Sequence, residues 1–139
     1  MAATTNLDLI NRALRELNVI NEREDASAEQ GNDCLAKLNG MLELWKESRI
    51  DFGWSRQTST AGVAPIPFLY EVPVHTNLAI LCASQYGASV SSELATVADR
   101  GYNMLLSKAA REELESVDMS HMPQGLGKSD RGYNINTDT

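Results

Sequence analysis

Two histidines, two cysteines and a cluster of carboxylates are the side chains of this chain whose types could do chemistry. A histidine becomes a metal ligand or a general base when a Cys, Asp or Glu stands at the right spacing from it. Neither His75 nor His121 has such a partner, so both read as surface or capping residues: His75 at a helix start, His121 in the C-terminal segment. Cys34 and Cys82 make no CxxC pair and no Cys/His ligand pattern. They fall within helical patterns and read as two buried, reduced thiols. Glu22, Glu24, Asp25, Glu29 and Asp33 crowd one polar stretch. A glycoside hydrolase needs two carboxyls facing each other across a cleft, and exposed carboxylates rarely have the perturbed pKa that this chemistry requires. These five read as a solvated acidic face. The chain has no GxSxG, HExxH or P-loop motif, and Gly125-x-Gly127 lacks the strand and third glycine of a dinucleotide site. The expectation is a protein with no catalytic residues, no metal and no cofactor.

The elements that hold these residues are helices. At 139 residues, 42% of them hydrophobic, the chain can bury one core without staples. A capping box, Thr5 with Asp8, opens a first helix whose stripe is Leu7, Ile10, Leu14 and Leu17, ending at the polar stretch 21–25. A second box, Ser27 with Gln30, opens a helix with Leu35, Leu38, Leu42 and Trp45 on its core side, fading near Ile50. Gly40 lies near that stripe and reads as a point of close helix approach. Residues 51–73 carry Gly53, Gly62, Pro65, Pro67 and Pro73, which break any helix. This stretch reads as a long excursion projecting from the body, with short strands at Thr58–Val63 or Phe68–Val72 that would make it a β-hairpin. A third helix is expected from about Val74 to Ser89, with Leu78, Leu81, Cys82 and Tyr86 facing the core. A fourth should begin at Ser91 or Ser92 and run to about Asp118, tracing Leu94, Val97, Tyr102, Leu105, Ala109, Leu114 and Val117. The fold class is all-α: a small four-helix bundle over residues 1–118, with the loop excursion 51–73 and an extended C-terminal tail over 119–139.

The net charge of −7 excludes a general nucleic-acid surface, which needs surplus Lys and Arg. The longest apolar run, Leu78–Ala83, is too short to span a bilayer. The start, MAATTNLDLI, lacks the basic and apolar regions of a signal peptide, so none is expected.

Some residues read as contact sites. Trp45 lies on a core stripe, whereas Trp54 either packs under the loop or anchors a neighbouring subunit. Phe68 and Tyr70 are candidates for a subunit interface. So are Lys108, Arg111 and Glu115, on a charged helical arm where i,i+4 pairs such as Lys108 with Glu112 and Arg111 with Glu115 would form. In the tail, Met122 and Leu126 stand among Pro123, Gly125 and Gly127, which oppose helix. Ordering such a segment costs about 1–2 kcal/mol per residue and nothing local offsets it, so the tail reads as either disordered or ordered by a partner. Tyr133 and Ile135 offer a second anchor.

The order of these features resembles the head-to-tail adaptor family of short-tailed phages, also called tail accessory or packaged-DNA stabilisation proteins. The resemblance rests on Ala13-Leu14-Arg15-Glu16-Leu17, on Leu38-Asn39-Gly40-Met41-Leu42-Glu43-Leu44-Trp45 followed by Ile50, and on Met122-Pro123-Gln124-Gly125-Leu126-Gly127. It covers nearly the whole chain. It implies a twelve-subunit ring below the portal that extends the DNA channel, helps retain the packaged genome and docks the tail nozzle. Portal protein, nozzle protein and further copies of the chain would then be the partners. DNA would pass through without sequence-specific binding, and no membrane is implied. The protein would be made in the host cytoplasm and end in the virion at the head–tail junction. Met122, Pro123, Gly125, Leu126 and Gly127 would lie against the portal. Twenty extended residues reach at most about 65 Å, and twelve such tails on one ring would bind with large avidity. An acidic lumen would let DNA slide without sticking. The rival readings are a small acidic helical regulatory binding protein and a cell-wall hydrolase using two of the clustered carboxylates.

Overall fold

A computed structural model describes residues 3–116. It is a bundle of four helices: α1 (Asn6–Glu16), α2 (Ala28–Glu47), α3 (Glu71–Ala83) and α4 (Ser92–Ser116). No strand is present among the described residues.

Both N-terminal capping boxes form as reciprocal pairs. The Thr5 hydroxyl accepts from the Asp8 amide at 3.1 Å while the Thr5 amide donates to the Asp8 carboxylate at 2.8 Å. The Ser27 hydroxyl and the Gln30 side chain repeat the arrangement at 3.2 and 3.0 Å. Each box satisfies donors that a helix start leaves unpaired. On α1, Leu9, Ile10, Ala13 and Leu14 are fully buried; the stripe runs through Leu9 rather than the half-buried Leu7. The helix stops earlier than its pattern suggests, at Leu17, where Asn18 enters the left-handed region with φ 56°. Asn tolerates that conformation better than most side chains.

The central element is α3. It packs against each of the other three helices, and nine of its thirteen residues are buried. It starts three residues earlier than expected, because Pro73 sits inside the first helical turn, where a missing amide hydrogen costs nothing. It also ends earlier, at Ala83, leaving Tyr86 half-buried in the following turn and Leu81 exposed. Helix α4 crosses α3 closely at Gly101: a Cβ there would stand 3.0 Å from the Cβ and Cγ atoms of Pro73. The close approach expected at Gly40 does not occur. Gly40 is exposed, and a Cβ would meet nothing within 4 Å. On α4, Leu94, Ala98 and Leu105 face the core, while Val97 and Leu114 face outward.

Residues 51–67 do not form a hairpin, and they do not project. They lie strapped across α1 and α2. Thr60 and Gly62 carbonyls accept the amides of Leu7 and Asn6 at 2.8 and 2.9 Å, satisfying first-turn donors of α1. One isolated antiparallel bridge, Thr5 with Val63, is all the β-pairing there is among the described residues. Asn39 on α2 grips the Gln57 backbone, Asn6 donates to the Ser59 carbonyl at 3.0 Å, and Lys46 donates to the Trp54 carbonyl at 2.6 Å. The segment ends in a 3₁₀ turn, Phe68–Tyr70, where a strand through Val72 had been expected.

Candidate interaction surface

The 3₁₀ turn and the start of α3 sort their side chains sharply. Pro67 leads into the turn, which points Tyr70 inward and leaves its neighbours outside. Phe68 and Leu69 are each 76% exposed, and Val72 is 53% exposed. Three large apolar side chains within five positions thus stand in water at one corner of the bundle. Burying each against a partner would yield about 1.5–3 kcal/mol. Grouped apolar exposure of this kind marks interaction sites, whereas scattered single residues do not.

Tyr70 is 8% exposed and belongs to the wall behind this corner. Its ring stacks on Phe52 at 4.8 Å with an interplanar angle of 14°, and Lys108 places its ammonium 4.4 Å from the ring centroid. Tyr70 is therefore an internal pillar rather than a contact residue. Trp54, 3% exposed, is likewise a core residue packed under the loop, the first of its two expected roles. A cleft of about 260 Å³ opens beside the pillar, lined by Arg49, Phe52, Pro67, Tyr70 and Lys108. Arg49, just past the end of α2, pairs with Glu113 on α4. Trp45 and Tyr102, with ring centroids 5.5 Å apart, tie the same two helices together lower down.

The charged arm of α4 forms one of its two expected pairs. Lys108 and Glu112 meet at 3.6 Å, Arg111 and Glu115 form no ion pair with each other, and Arg111, Glu112, Leu114 and Glu115 are exposed. Lys108 itself splits its role between Glu112 and the Tyr70 ring.

His75 differs from its expected place. It is 8% exposed and lies within α3, not at its surface. Burial, helped by the nearby Arg12 guanidinium, holds its pKa down at about 4, so the imidazole is neutral near pH 7. Its Nδ1 is buried without a hydrogen-bond partner among the described residues. It borders a cavity of about 510 Å³ with Arg12, Arg15, Glu16 and Glu22. Arg12 is already paired with Glu71 at 2.8 Å, and Arg15 with the Glu24 carbonyl and Asp25. Burial raises the Glu71 pKa, but hydrogen bonds from Thr4 and Arg12 outweigh it and leave the carboxyl below its usual range.

The five clustered carboxylates are all exposed. Asp25 accepts from Asn11 at 3.1 Å, and Asp33 from Gln85 at 3.1 Å. The two cysteines are free and fully buried, as expected. Among the described residues, no group of three His, Cys, Asp or Glu side chains is placed to hold a metal. No described helix is long and apolar enough to cross a membrane. His121, Val117 and the tail residues Met122, Pro123, Gly125, Leu126, Gly127, Tyr133 and Ile135 lie outside the described residues.

Of the expected contact residues, the structure thus brings Phe68, Arg111 and Glu115 to the surface, half-exposes Lys108, and buries Trp54 and Tyr70. Leu69 and Val72 join Phe68 as contact candidates. Their signal in the sequence is an apolar triplet after Pro67 that continues into a helix. No family model matches the chain, and no curated protein matches it.

Proposed function

We propose that this chain is a structural head-to-tail connector of a phage virion. In this reading it forms a ring below the portal, extends the DNA channel, helps retain packaged DNA and docks the tail nozzle. The observation that carries the proposal is the apolar corner of Phe68, Leu69 and Val72, set at the junction of the strapped loop and the central helix. A ring subunit would bury an apolar corner of this kind against its neighbour, and Tyr70 behind it is held by Phe52 and Lys108.

The motifs behind the resemblance divide into two kinds. Ala13, Leu14, Leu17, Leu38, Leu42, Trp45 and Ile50 are all buried, and Asn39 holds the loop. That part of the pattern encodes the helical body. The Met122–Gly127 segment carries the proposed fastening to the portal. Electron microscopy of the full chain mixed with portal protein tests the whole reading. A ring on the portal vertex is expected, and a chain that stays monomeric beside portal overturns it. Removing residues 120–139 should leave the helical fold intact and weaken attachment; equal binding by the shortened chain would refute the fastening role. A small acidic helical regulatory protein would use the same apolar corner, and particle size with portal present separates the two readings.

A further inference from the structure

The two thiols meet in the core. Cys34, on α2, and Cys82, on α3, are 48 positions apart in the chain, yet the Cys82 thiol donates to Cys34 Sγ at 3.5 Å. Both side chains are fully buried, and no other cysteine exists in the sequence. A disulfide requires about 2.05 Å between sulfurs. The remaining gap is roughly 1.5 Å, which rotation of the two side chains on adjoining helices has to close.

Cys34 is the sulfur with a second polar neighbour, the Tyr86 hydroxyl 3.8 Å away. The hydrogen bond from Cys82 and this contact lower the Cys34 pKa against the opposing effect of burial. Lys37, one turn beyond Cys34, donates its ammonium to the Leu81 carbonyl at 3.0 Å, next to Cys82. The same sulfur–sulfur hydrogen bond, together with burial, pushes Cys82 well up, so it stays protonated. Asp33 is the neighbouring charge that opposes the Cys34 thiolate, and it faces solvent. A thiolate beside a protonated thiol lets an oxidised sulfur be resolved by its neighbour, and because both sulfurs are buried the oxidant reaches them when the helices open locally.

We propose that Cys34 and Cys82 are a modification site: hydrogen peroxide oxidises the folded chain at this pair and joins α2 to α3 through an intramolecular disulfide. The Cys34 thiolate attacks one peroxide oxygen, the O–O bond breaks, and the leaving hydroxide takes a proton to become water. The resulting Cys34 sulfenic acid is attacked by Cys82 sulfur. The S–O bond breaks as the S–S bond forms, and the hydroxyl leaves as a second water with the Cys82 proton. Two thiols lose two electrons in total, and one peroxide becomes two waters. This inference is independent of the proposed connector role.

The test is mass spectrometry of the native chain after exposure to a modest excess of hydrogen peroxide. Trypsin releases Cys34 in residues 24–37 and Cys82 in residues 57–100. The expected product is these two peptides joined, in a monomeric chain lighter by two hydrogens, with the joint lost on adding dithiothreitol. The oxidised chain should also melt several degrees higher than the reduced one, because the bridge constrains the unfolded state. In Cys82→Ser, or in Cys82→Ala should the serine fail to fold, peroxide should stop at a Cys34 sulfenic acid that a dimedone probe traps. Three results would overturn the proposal: sulfinic or sulfonic acid at Cys34 without a joined peptide, a joint found only in covalent dimers, or a native chain that stays reduced while the urea-unfolded chain oxidises.

Discussion

Asn39 holds the backbone of Gln57 with both of its polar atoms: its amide nitrogen donates to the Gln57 carbonyl at 2.8 Å, and its oxygen accepts the Gln57 amide at 2.9 Å. A buried side chain on α2 therefore replaces the missing strand partner of the loop. Replacing it with leucine would strand two backbone groups, each at a cost of about 1–3 kcal/mol. Asn39→Leu should lower the unfolding free energy by about 2–4 kcal/mol in urea titration. A loss below about 0.5 kcal/mol would mean that water or a shifted loop satisfies those groups.

Two of the helix glycines, Gly40 and Gly101, should respond oppositely to the same change. Gly40→Ala adds a methyl to open space and removes a poor helix former, so a gain of up to about 1 kcal/mol is expected. Gly101→Ala drives its methyl against the rigid ring of Pro73, and overpacking should outweigh the propensity gain for a net loss of about 1 kcal/mol. Thermal melts of the two variants side by side decide it. A stabilised Gly101→Ala chain would show that α4 can slide away from α3.

The neutral, buried His75 gives the fold a dependence on pH. Its pKa falls from the ordinary 6.5 to about 4 on folding, so between those values the unfolded chain binds more protons than the native one. Stability is fully present above pH 6.5 and is lost as pH falls toward 4, by about 3 kcal/mol in total. Asp8 and Glu71 have carboxyl groups held below their usual values, so their contributions are lost at lower pH, as it falls through their folded pKa values. Urea midpoints of the native chain and of His75→Gln at pH 7 and pH 4.5 isolate the histidine. The native chain should lose more stability across that interval than the variant, and equal losses would refute the assignment.

Leu69→Glu should leave the monomer fold within about 0.5 kcal/mol of the native chain, because its side chain lies in water. In the connector reading the same change weakens assembly on portal, since a charge replaces an apolar contact. Sedimentation of the mixture measures it. Undiminished assembly would move the subunit contact away from this corner.

Local chemistry was legible in the sequence, and chain-crossing geometry was not. Thr5–Asp8 and Ser27–Gln30 declare helix starts because each box closes within four residues. Leu35, Leu38, Leu42 and Trp45 show their face through spacing alone. Pro73 was misleading because a proline just before a helix and a proline inside its first turn read alike. Which glycine meets a neighbouring helix depends on where that helix lies, so Gly101 could not be told from Gly40. The inward turn of Tyr70 and the burial of His75 depend on Phe52, Lys108 and Arg12, partners 18 to 63 positions away. For the contact surface, the apolar triplet after Pro67 was visible, but not which two of its three members would remain outside.

The hydrogen bonds from Leu7 to Thr60 and from Asn6 to Gly62 also set an order of events during synthesis. The first turn of α1 precedes its acceptors by more than fifty residues. At about 5–20 residues per second, the ribosome takes roughly 3–10 s to deliver them. Through that interval the turn has its capping box but not the loop carbonyls that pair it in the finished fold.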